Sequence, residues 1–198
     1  MAGKIKKLMP RVVFTRLEHL YQRMEDSYNQ VAGEIGFTCQ GCWDNCCNSF
    51  FKHHTRVEWA YFWRGLGQCT QELRQEIVSR AQDYVRQMHH EQSQGRTPLI
   101  MCPVNRDGWC MLYEHRLMIC RLHGVPSTHT TPRGQVVEFP GCFRCQEQTQ
   151  YLNQVPKLDR TLFYREMAEL EQGFVGPKIT GMERVNLTLA EMILKGPP

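Results

Sequence analysis

Cysteine is the residue that dominates the chemistry of this 198-residue chain, which contains ten of them. Four fall within a span of nine residues: Cys39, Cys42, Cys46 and Cys47. A cysteine that only packs behaves as a small hydrophobe and has no reason to cluster, whereas thiolates a few residues apart can turn towards one metal ion or cluster. The clustering therefore predicts a soft-metal site, with zinc or an iron–sulfur cluster as candidates.

A second group of cysteines follows later in the chain. Its members are Cys102, Cys110, Cys120, Cys142 and Cys145. We expect the two groups to fold together around metal, and we take all nine residues as candidate ligands. Cys69 stands apart from both groups, and we expect it to be an inert thiol. No catalytic residue can be assigned from the sequence.

The adjacent pair Cys46 and Cys47 indicates a division of tasks. Neighbouring side chains rarely converge on one atom, because successive residues of an extended chain point to opposite sides. We therefore expect either ligands of two different centres, or one ligand beside one supporting thiol. For the final arm, the spacing does not decide between Cys142 and Cys145 as the ligand.

The spacing of the remaining cysteines bears on the identity of the metal. Structural zinc sites usually have two regular C-x-x-C arms, and only Cys39–Cys42 and Cys142–Cys145 have that spacing here. Irregular all-cysteine ligation favours a [4Fe–4S] cluster. The first hypothesis is thus an iron–sulfur protein that transfers electrons to an unidentified protein partner, or a cluster-dependent oxidoreductase of unknown substrate. The alternative is a zinc-stabilised interaction module.

The composition limits the class of protein and the cellular compartment that we expect. Apolar residues make up 41% and charged residues 22%, which is typical of a globular chain, and a net charge of only +4 gives no support for nucleic-acid binding. No segment approaches the ~20 apolar residues of a membrane span, and no signal peptide is visible. We therefore expect a cytoplasmic protein whose cysteines stay reduced, rather than a disulfide scaffold.

Apolar periodicity and capping residues predict a mostly helical α+β fold, with a small cysteine-rich core of short strands covered by helices. Predicted helices cover residues 10–33, 56–66, 70–88, 142–152, 159–174 and 188–194. The turn at 105–108 predicts a hairpin, 125–134 is expected to be a loop, and 135–139 a strand. We place a metal-binding domain at 1–156, with its motifs at 37–145, and a helical annex at 157–198.

Two threonine–glutamate pairs match the capping box, in which each side chain bonds to a backbone amide of the first helical turn. They are Thr55 with Glu58, and Thr188 with Glu191. Of the two histidines behind the first cysteine group, we expect one to pack and the other to form a hydrogen bond near the helix start. Arg116 and Arg121 flank Cys120 and could either support a negatively charged cluster or lie on the surface.

Taken in order, three motifs of this chain resemble those of a known family. The family pattern C-x-x-C-x-x-C-C is similar to Cys39 to Cys47, although Trp43-Asp44-Asn45 adds one residue. Cys102-Pro103 follows, and then Cys110 to Arg121, which is similar to C-x-[IL]-Y-x-x-R-P-x-x-C-R with Leu117 in place of proline.

The chain thereby resembles the YkgJ-like cysteine-cluster family of zinc- or iron-chelating domains, over roughly residues 37 to 145. The resemblance implies metal chelation by the matching cysteines. Some relatives methylate lysines of flagellin, which makes kinship with those enzymes a lesser alternative. No glycine-rich nucleotide or phosphate loop supports a methyl-donor site.

Overall fold

The computed structural model describes residues 6–39, 42 and 46–198, with the side chain of Cys46 left out. Two compact units emerge, and each is built from separate stretches of chain. Unit 1 comprises Met1–Cys46 and Cys120–Pro177, and unit 2 comprises Cys47–Ile119 and Lys178–Pro198. The predicted boundary at residues 156 and 157 stays a prediction.

The predicted fold class is confirmed as mostly helical α+β. Within the described ranges there are seven α-helices, one two-stranded sheet and one three-stranded sheet. Short 3₁₀ turns at Cys46–Asn48, Tyr113–His115 and Gly176–Gly181 connect them. No helix among the described residues is both long enough and apolar enough to cross a membrane.

Unit 1 is built on the long helix α1, Pro10–Glu34, which begins with proline at its first position. Its buried stripe repeats every three or four residues, through Val13, Leu17, Leu20 and Met24. Helix α6, Thr161–Val175, packs against it. The rings of Phe14 and Phe174 stack with centroids 6.1 Å apart, so the hydrophobic stripe of α1 is covered by α6.

A three-stranded sheet completes unit 1, with β3 (Ser127–Thr130) between β4 (Val136–Phe139) and β5 (Leu158–Asp159). Strand β3 runs antiparallel to β4 and parallel to β5. The expectation of a loop over 125–134 is therefore wrong for Ser127–Thr130. The polar sequence Ser-Thr-His-Thr has no apolar alternation, so pairing on both sides, rather than a hydrophobic pattern, accounts for this strand.

Two short helices of the chain carry cysteines. Helix α4, Met118–Leu122, contains Cys120, and helix α5, Phe143–Thr149, begins directly after Cys142. Both are too short to be stable alone, so tertiary contacts must hold them in place.

Unit 2 packs α2 (Arg56–Gln68), α3 (Gln71–Ser93) and α7 (Leu189–Lys195) around an apolar cluster. The indole nitrogens of Trp59 and Trp63 both donate to the Met192 carbonyl, each at 3.1 Å. These bonds satisfy both indole donors, which are buried or partly buried. They also join the two stretches of chain that form unit 2.

The predicted hairpin of unit 2 is present but shorter than expected. Strand β1, Asn105–Arg106, pairs antiparallel with β2, Trp109–Cys110. Between them Asp107 and Gly108 have φ angles of 52° and 87°. Two successive positive φ angles are typical of the tight turn that joins twisted strands.

The two threonine–glutamate pairs behave differently. At α7 the full capping box forms, because Thr188 accepts from the Glu191 amide and Glu191 accepts from the Thr188 amide. At α2 the Thr55 hydroxyl donates to the Glu58 carboxylate, as that of Thr188 does to Glu191, but it accepts no amide of the first turn. The other oxygen of Glu58 accepts the Met118 amide at 2.7 Å. Glu58 is thus diverted from its own helix to fix the start of α4.

Candidate metal centre

The first C-x-x-C arm follows the end of α1. Gly36 has φ +66°, and the Phe37 amide donates back to the Ala32 carbonyl at 2.8 Å. Cys39 lies five residues beyond the last residue of α1, and the Cys42 amide donates to the Cys39 carbonyl at 3.1 Å. This hydrogen bond brings the backbones of the two cysteines of the arm close together, as a C-x-x-C metal-binding arm requires.

The second arm is the start of α5. Cys142 precedes the helix and Cys145 is in its first turn, where it is fully buried. The Cys142 amide donates to the Gly124 carbonyl at 2.8 Å. Gly141 has φ +93°, and a Cβ there would lie 2.8 Å from the Gly124 oxygen and 3.2 Å from the Cys145 sulfur. Only glycine leaves room for this approach.

These two arms meet within unit 1. Burial raises the pKa of the Cys142 thiol, and the nearby charges of Cys39 and Cys42 raise it further. Burial likewise raises the pKa of Cys145 to about 11, with contributions from Cys142 and Cys39. We call this set the four-thiol group: Cys39, Cys42, Cys142 and Cys145. Sulfurs one hundred or more residues apart in sequence thus interact electrostatically in the fold.

A cationic side chain accompanies the four-thiol group. The hydrogen bond between Arg144 and Cys42 raises the pKa of the guanidinium, and the charges of the thiols act in the same direction. The Nη1 atom of Arg144 is buried and has no hydrogen-bond partner among the described residues. Such an orphaned donor costs free energy unless an additional acceptor, such as a metal-bound sulfur, is close by.

A neutral side chain ties the two arms together. The amide nitrogen of Gln148 on α5 donates to the Ile35 carbonyl at 3.1 Å and to the Gly36 carbonyl at 2.7 Å. This pair of bonds holds the end of α1 against α5, so both arms are oriented by regular elements rather than by loop alone.

The donor set can be tested for its fit to a soft metal. The nine described cysteines are thiols rather than disulfides, which is the form that binds zinc or iron–sulfur clusters. No three His, Cys, Asp or Glu side chains of the described ranges already stand in a metal-binding arrangement. The four thiols fit a soft metal in donor type, whereas their arrangement among the described residues is not that of a formed metal site.

A separate set of thiols lies in unit 2, and we call it the three-thiol group: Cys47, Cys102 and Cys110. The Cys102 amide donates to the Cys47 carbonyl at 2.8 Å. The hairpin places Cys110 opposite Asn105, whose amide donates to the Cys102 carbonyl at 3.0 Å. Cys102 and Cys110 also pack against the apolar cluster, so hydrophobic packing accounts for part of their placement.

The remaining predicted ligands fall elsewhere. Cys120 is half-buried on α4 in unit 1, and the side chain of Cys46 lies outside the described atoms. The boundary between the units falls inside the adjacent pair, because Cys46 ends a segment of unit 1 and Cys47 begins unit 2. Cys69, at the end of α2, donates to the Gly65 carbonyl at 3.7 Å.

The histidines behave as expected. His53 is buried and its backbone pairs with Leu187, while the Nδ1 atom of His54 lies 3.2 Å from the Val185 carbonyl oxygen. Burial lowers the pKa of His53 to about 4, with a smaller effect from the charge of His54.

The two arginines that flank Cys120 lie on aromatic rings. The guanidinium of Arg116 is 3.7 Å from the Tyr113 ring centroid, and that of Arg121 is 4.0 Å from the Tyr21 ring. Cation–π contacts with tyrosine therefore account for part of the placement of both side chains.

Sequence reasoning passed over Arg144 and Tyr28 as contributors to the site. The hydroxyl of Tyr28 is 3.6 Å from the Cys39 sulfur. Arg144 could have been noticed, because it lies inside the Cys142–Cys145 spacing. Tyr28 gave no signal, because a tyrosine on the apolar stripe of a helix is typical of core packing.

No protein-family model, curated protein or solved structure matches this chain. The chemistry of its own side chains is therefore the basis for assigning function.

Proposed function

We propose that this protein binds a soft metal through the four-thiol group of unit 1, and that a structural Zn²⁺ ion is the best-supported occupant. The observation that carries the proposal is the meeting of two C-x-x-C arms. Four thiolates from two such arms are the usual ligands of tetrahedral structural zinc. The bound ion would cross-link the end of α1 to the start of α5 and contribute folding free energy.

The division of the cysteines between two units is what favours zinc. When all nine candidate ligands are treated as one set, their spacing is irregular and is typical of an iron–sulfur cluster. Within unit 1, two regular arms are brought together, and this regularity supports a tetrahedral ion. Arg144 would compensate the net negative charge of four thiolates around one divalent cation.

An iron–sulfur cluster is the second candidate, and the orphaned Nη1 atom of Arg144 favours it. A [4Fe–4S] cluster would supply electron-transfer chemistry, and its sulfides add hydrogen-bond acceptors beyond the four thiolates. In that case the protein would be a redox protein or oxidoreductase, with a protein partner and a substrate still to be identified. Arg144 would then donate to a cluster sulfur.

Several finer assignments remain proposals beside these. Metal ligation by Cys46, Cys120 and the three-thiol group stays a prediction from the sequence. So does the resemblance to the YkgJ-like family and to flagellin lysine methylases. We also propose a reducing, cytoplasmic setting, because nine thiols without disulfides suit such a compartment. We propose no nucleic-acid partner, because a net charge of +4 gives little electrostatic attraction to phosphate groups.

Metal analysis of protein purified without oxygen tests the proposal directly. We expect colourless protein with stoichiometric zinc, and Cys42→Ser should lose that metal together with much of the thermal stability of unit 1. Both losses have the same cause, because metal-binding free energy is also folding free energy. A brown protein whose visible absorption is bleached by dithionite would instead identify the iron–sulfur candidate.

Cys69→Ser is the matched control. It makes the same chemical change at a thiol outside both groups, and serine retains a donor for the Gly65 carbonyl. Metal content should stay near that of the unaltered protein, and the melting temperature should fall only by the amount expected when a hydroxyl replaces a thiol packed against the apolar cluster. If Cys42→Ser retained full metal and full stability, the four-thiol group would not be a metal site.

A further inference from the structure

Tyr28 lies on the last turns of α1, half-buried, with its hydroxyl 3.6 Å from the sulfur of Cys39. This distance is within the range of a hydrogen bond to sulfur. A phenol is a good donor near neutral pH, whereas a metal-bound thiolate is an acceptor only. The direction of the bond is then fixed, from oxygen to sulfur, once Cys39 binds metal.

The position of this hydroxyl is determined by close packing. Gly124 has φ +122°, and a Cβ at that position would lie 2.5 Å from the Tyr28 oxygen and 3.5 Å from the Phe37 ring. Any larger residue would collide with the hydroxyl and would also be strained. Gly124 therefore creates the space in which the hydroxyl reaches Cys39.

The same glycine also contacts the second arm. Its carbonyl accepts the Cys142 amide at 2.8 Å, while its Cα faces Tyr28. The Gly124 segment thus sets the distance between the Tyr28 hydroxyl and the second arm. One glycine thus leaves the space that the half-buried Tyr28 hydroxyl occupies and bonds to the second arm, which relates the hydroxyl to both arms.

We propose that Tyr28 is a positioning residue of the metal centre, whose hydroxyl donates a hydrogen bond to the Cys39 sulfur and lowers its electron density. The inference rests on the proposed metal site and extends it to the reactivity of one ligand. Hydrogen bonds to ligand atoms tune a metal site as the ligands themselves do. Cys39 is the exposed member of the four-thiol group, so it is the ligand that most needs protection from electrophiles.

Tyr28→Phe removes the hydroxyl and keeps the ring. With Co²⁺ as a spectroscopic substitute for zinc, we expect the sulfur-to-cobalt charge-transfer band to move to lower energy. With Zn²⁺ bound, iodoacetamide should alkylate Cys39 about two- to tenfold faster, as loss of one hydrogen bond implies. In that reaction the sulfur forms a bond to carbon and iodide leaves. Peptide mapping identifies the alkylated cysteine.

Tyr151→Phe is the control, since it removes a hydroxyl in the same unit from a side chain that is 86% exposed. It should change neither the band nor the rate. A second variant tests the packing. Gly124→Ala should destabilise the protein less when phenylalanine replaces Tyr28, because the atom at 2.5 Å is then gone and the next is at 3.4 Å.

The outcomes separate the two proposals. If Co²⁺ binds in a manner that depends on Cys39, but Tyr28→Phe leaves both band and rate unchanged, the role of Tyr28 is overturned and the metal site stands. If neither Co²⁺ nor Zn²⁺ binds in that manner, both proposals are overturned.

Discussion

The four-thiol group of unit 1 and the three-thiol group of unit 2 differ in what surrounds them. In unit 1 two thiols lie in the segment after α1 and two at the start of α5, near the guanidinium of Arg144 and the hydroxyl of Tyr28. In unit 2 Cys102 and Cys110 pack against the apolar cluster. The pKa of nearby Tyr84 rises to about 12 through burial, with a smaller effect from the charge of Cys102.

This difference separates two uses of cysteine. Beside the four-thiol group, the guanidinium of Arg144 and the hydroxyl of Tyr28 favour the thiolate that binds metal. Burial acts in the opposite direction and raises the pKa of Cys142 and Cys145, so these two thiols are held neutral until a cation displaces their protons. An apolar surrounding disfavours that anion and favours the neutral thiol, which contributes to stability as a small hydrophobe. Clustering along the sequence cannot distinguish the two uses, because both require several cysteines to come together.

The largest effect should come from exchanging one cysteine in each group. Cys145→Ser should abolish metal binding in unit 1, because it removes one of four ligands. Cys102→Ser should leave that metal in place and lower stability by about 1–3 kcal/mol, as expected when a polar hydroxyl replaces a packed thiol. Metal content and urea unfolding report the two quantities. Loss of metal in Cys102→Ser would instead indicate a second metal centre, and it would contradict the difference between the two thiol groups.

The next largest effect should be a loss of folding stability at acid pH, and both units should contribute to it. Burial lowers the pKa of His53 in unit 2 to about 4, and burial together with the charge of Arg160 lowers that of His123 in unit 1 to about 4. Unfolded histidine titrates near 6.5. Between pH ~6.5 and ~4 the unfolded state therefore binds more protons, and stability should fall as the pH is lowered through this window.

The variant His53→Leu tests how much of this acid-induced loss of stability comes from unit 2. The variant should lose less stability than the unaltered protein between neutral pH and pH ~4, by about 3 kcal/mol at most. Urea unfolding at a series of pH values, with the metal removed by chelation, measures this difference. His54→Gln is the comparison and should reduce the acid response by much less than His53→Leu, because it removes only the smaller effect of the His54 charge on His53. An identical acid response in His53→Leu would mean that this ring is solvated.

Two glycines of α2 test how tightly unit 2 is packed. A Cβ at Gly65 would lie 2.3 Å from Cγ and 2.8 Å from Cβ of His115, whereas a Cβ at Gly67 would meet nothing within 4 Å. Gly65→Ala should cost about 1–3 kcal/mol through overpacking. Gly67→Ala should stabilise by up to about 1 kcal/mol through helix propensity. Equal effects of both variants in urea unfolding would contradict the described packing of α2.

The smallest effect is expected at the surface of unit 1, where Arg23 on α1 forms an ion pair with Glu166 on α6. Both side chains are substantially exposed, so the pair should contribute less than about 1 kcal/mol. Arg23→Ala should therefore barely shift the urea midpoint, and it should leave metal content unchanged. Arg86→Ala, which breaks the exposed pair with Asp83 in unit 2, is the matched control.

Periodicity and capping predicted the helices well where one residue pattern decides the element. Pro10 and the apolar stripe fixed α1, and Thr188 with Glu191 fixed the start of α7. Strand β3 was missed because its polar residues are held by neighbours rather than by a hydrophobic face. The pair Thr55 and Glu58 matched the same motif as α7 but did not form the capping bond, and one oxygen of Glu58 accepts the Met118 amide, which is sixty residues away in sequence.

The sequence by itself determined that this chain is mostly helical and that it carries clustered thiols capable of soft-metal chemistry. Tertiary structure alone decided which thiols belong together: it joined the Cys39–Cys42 arm to the Cys142–Cys145 arm and assigned Cys47 to a different unit. The physical reason is that helix formation depends on residues three or four apart. The grouping of sulfurs depends on approaches across about a hundred residues, such as those of Gly124 to Tyr28 and of Gln148 to Gly36.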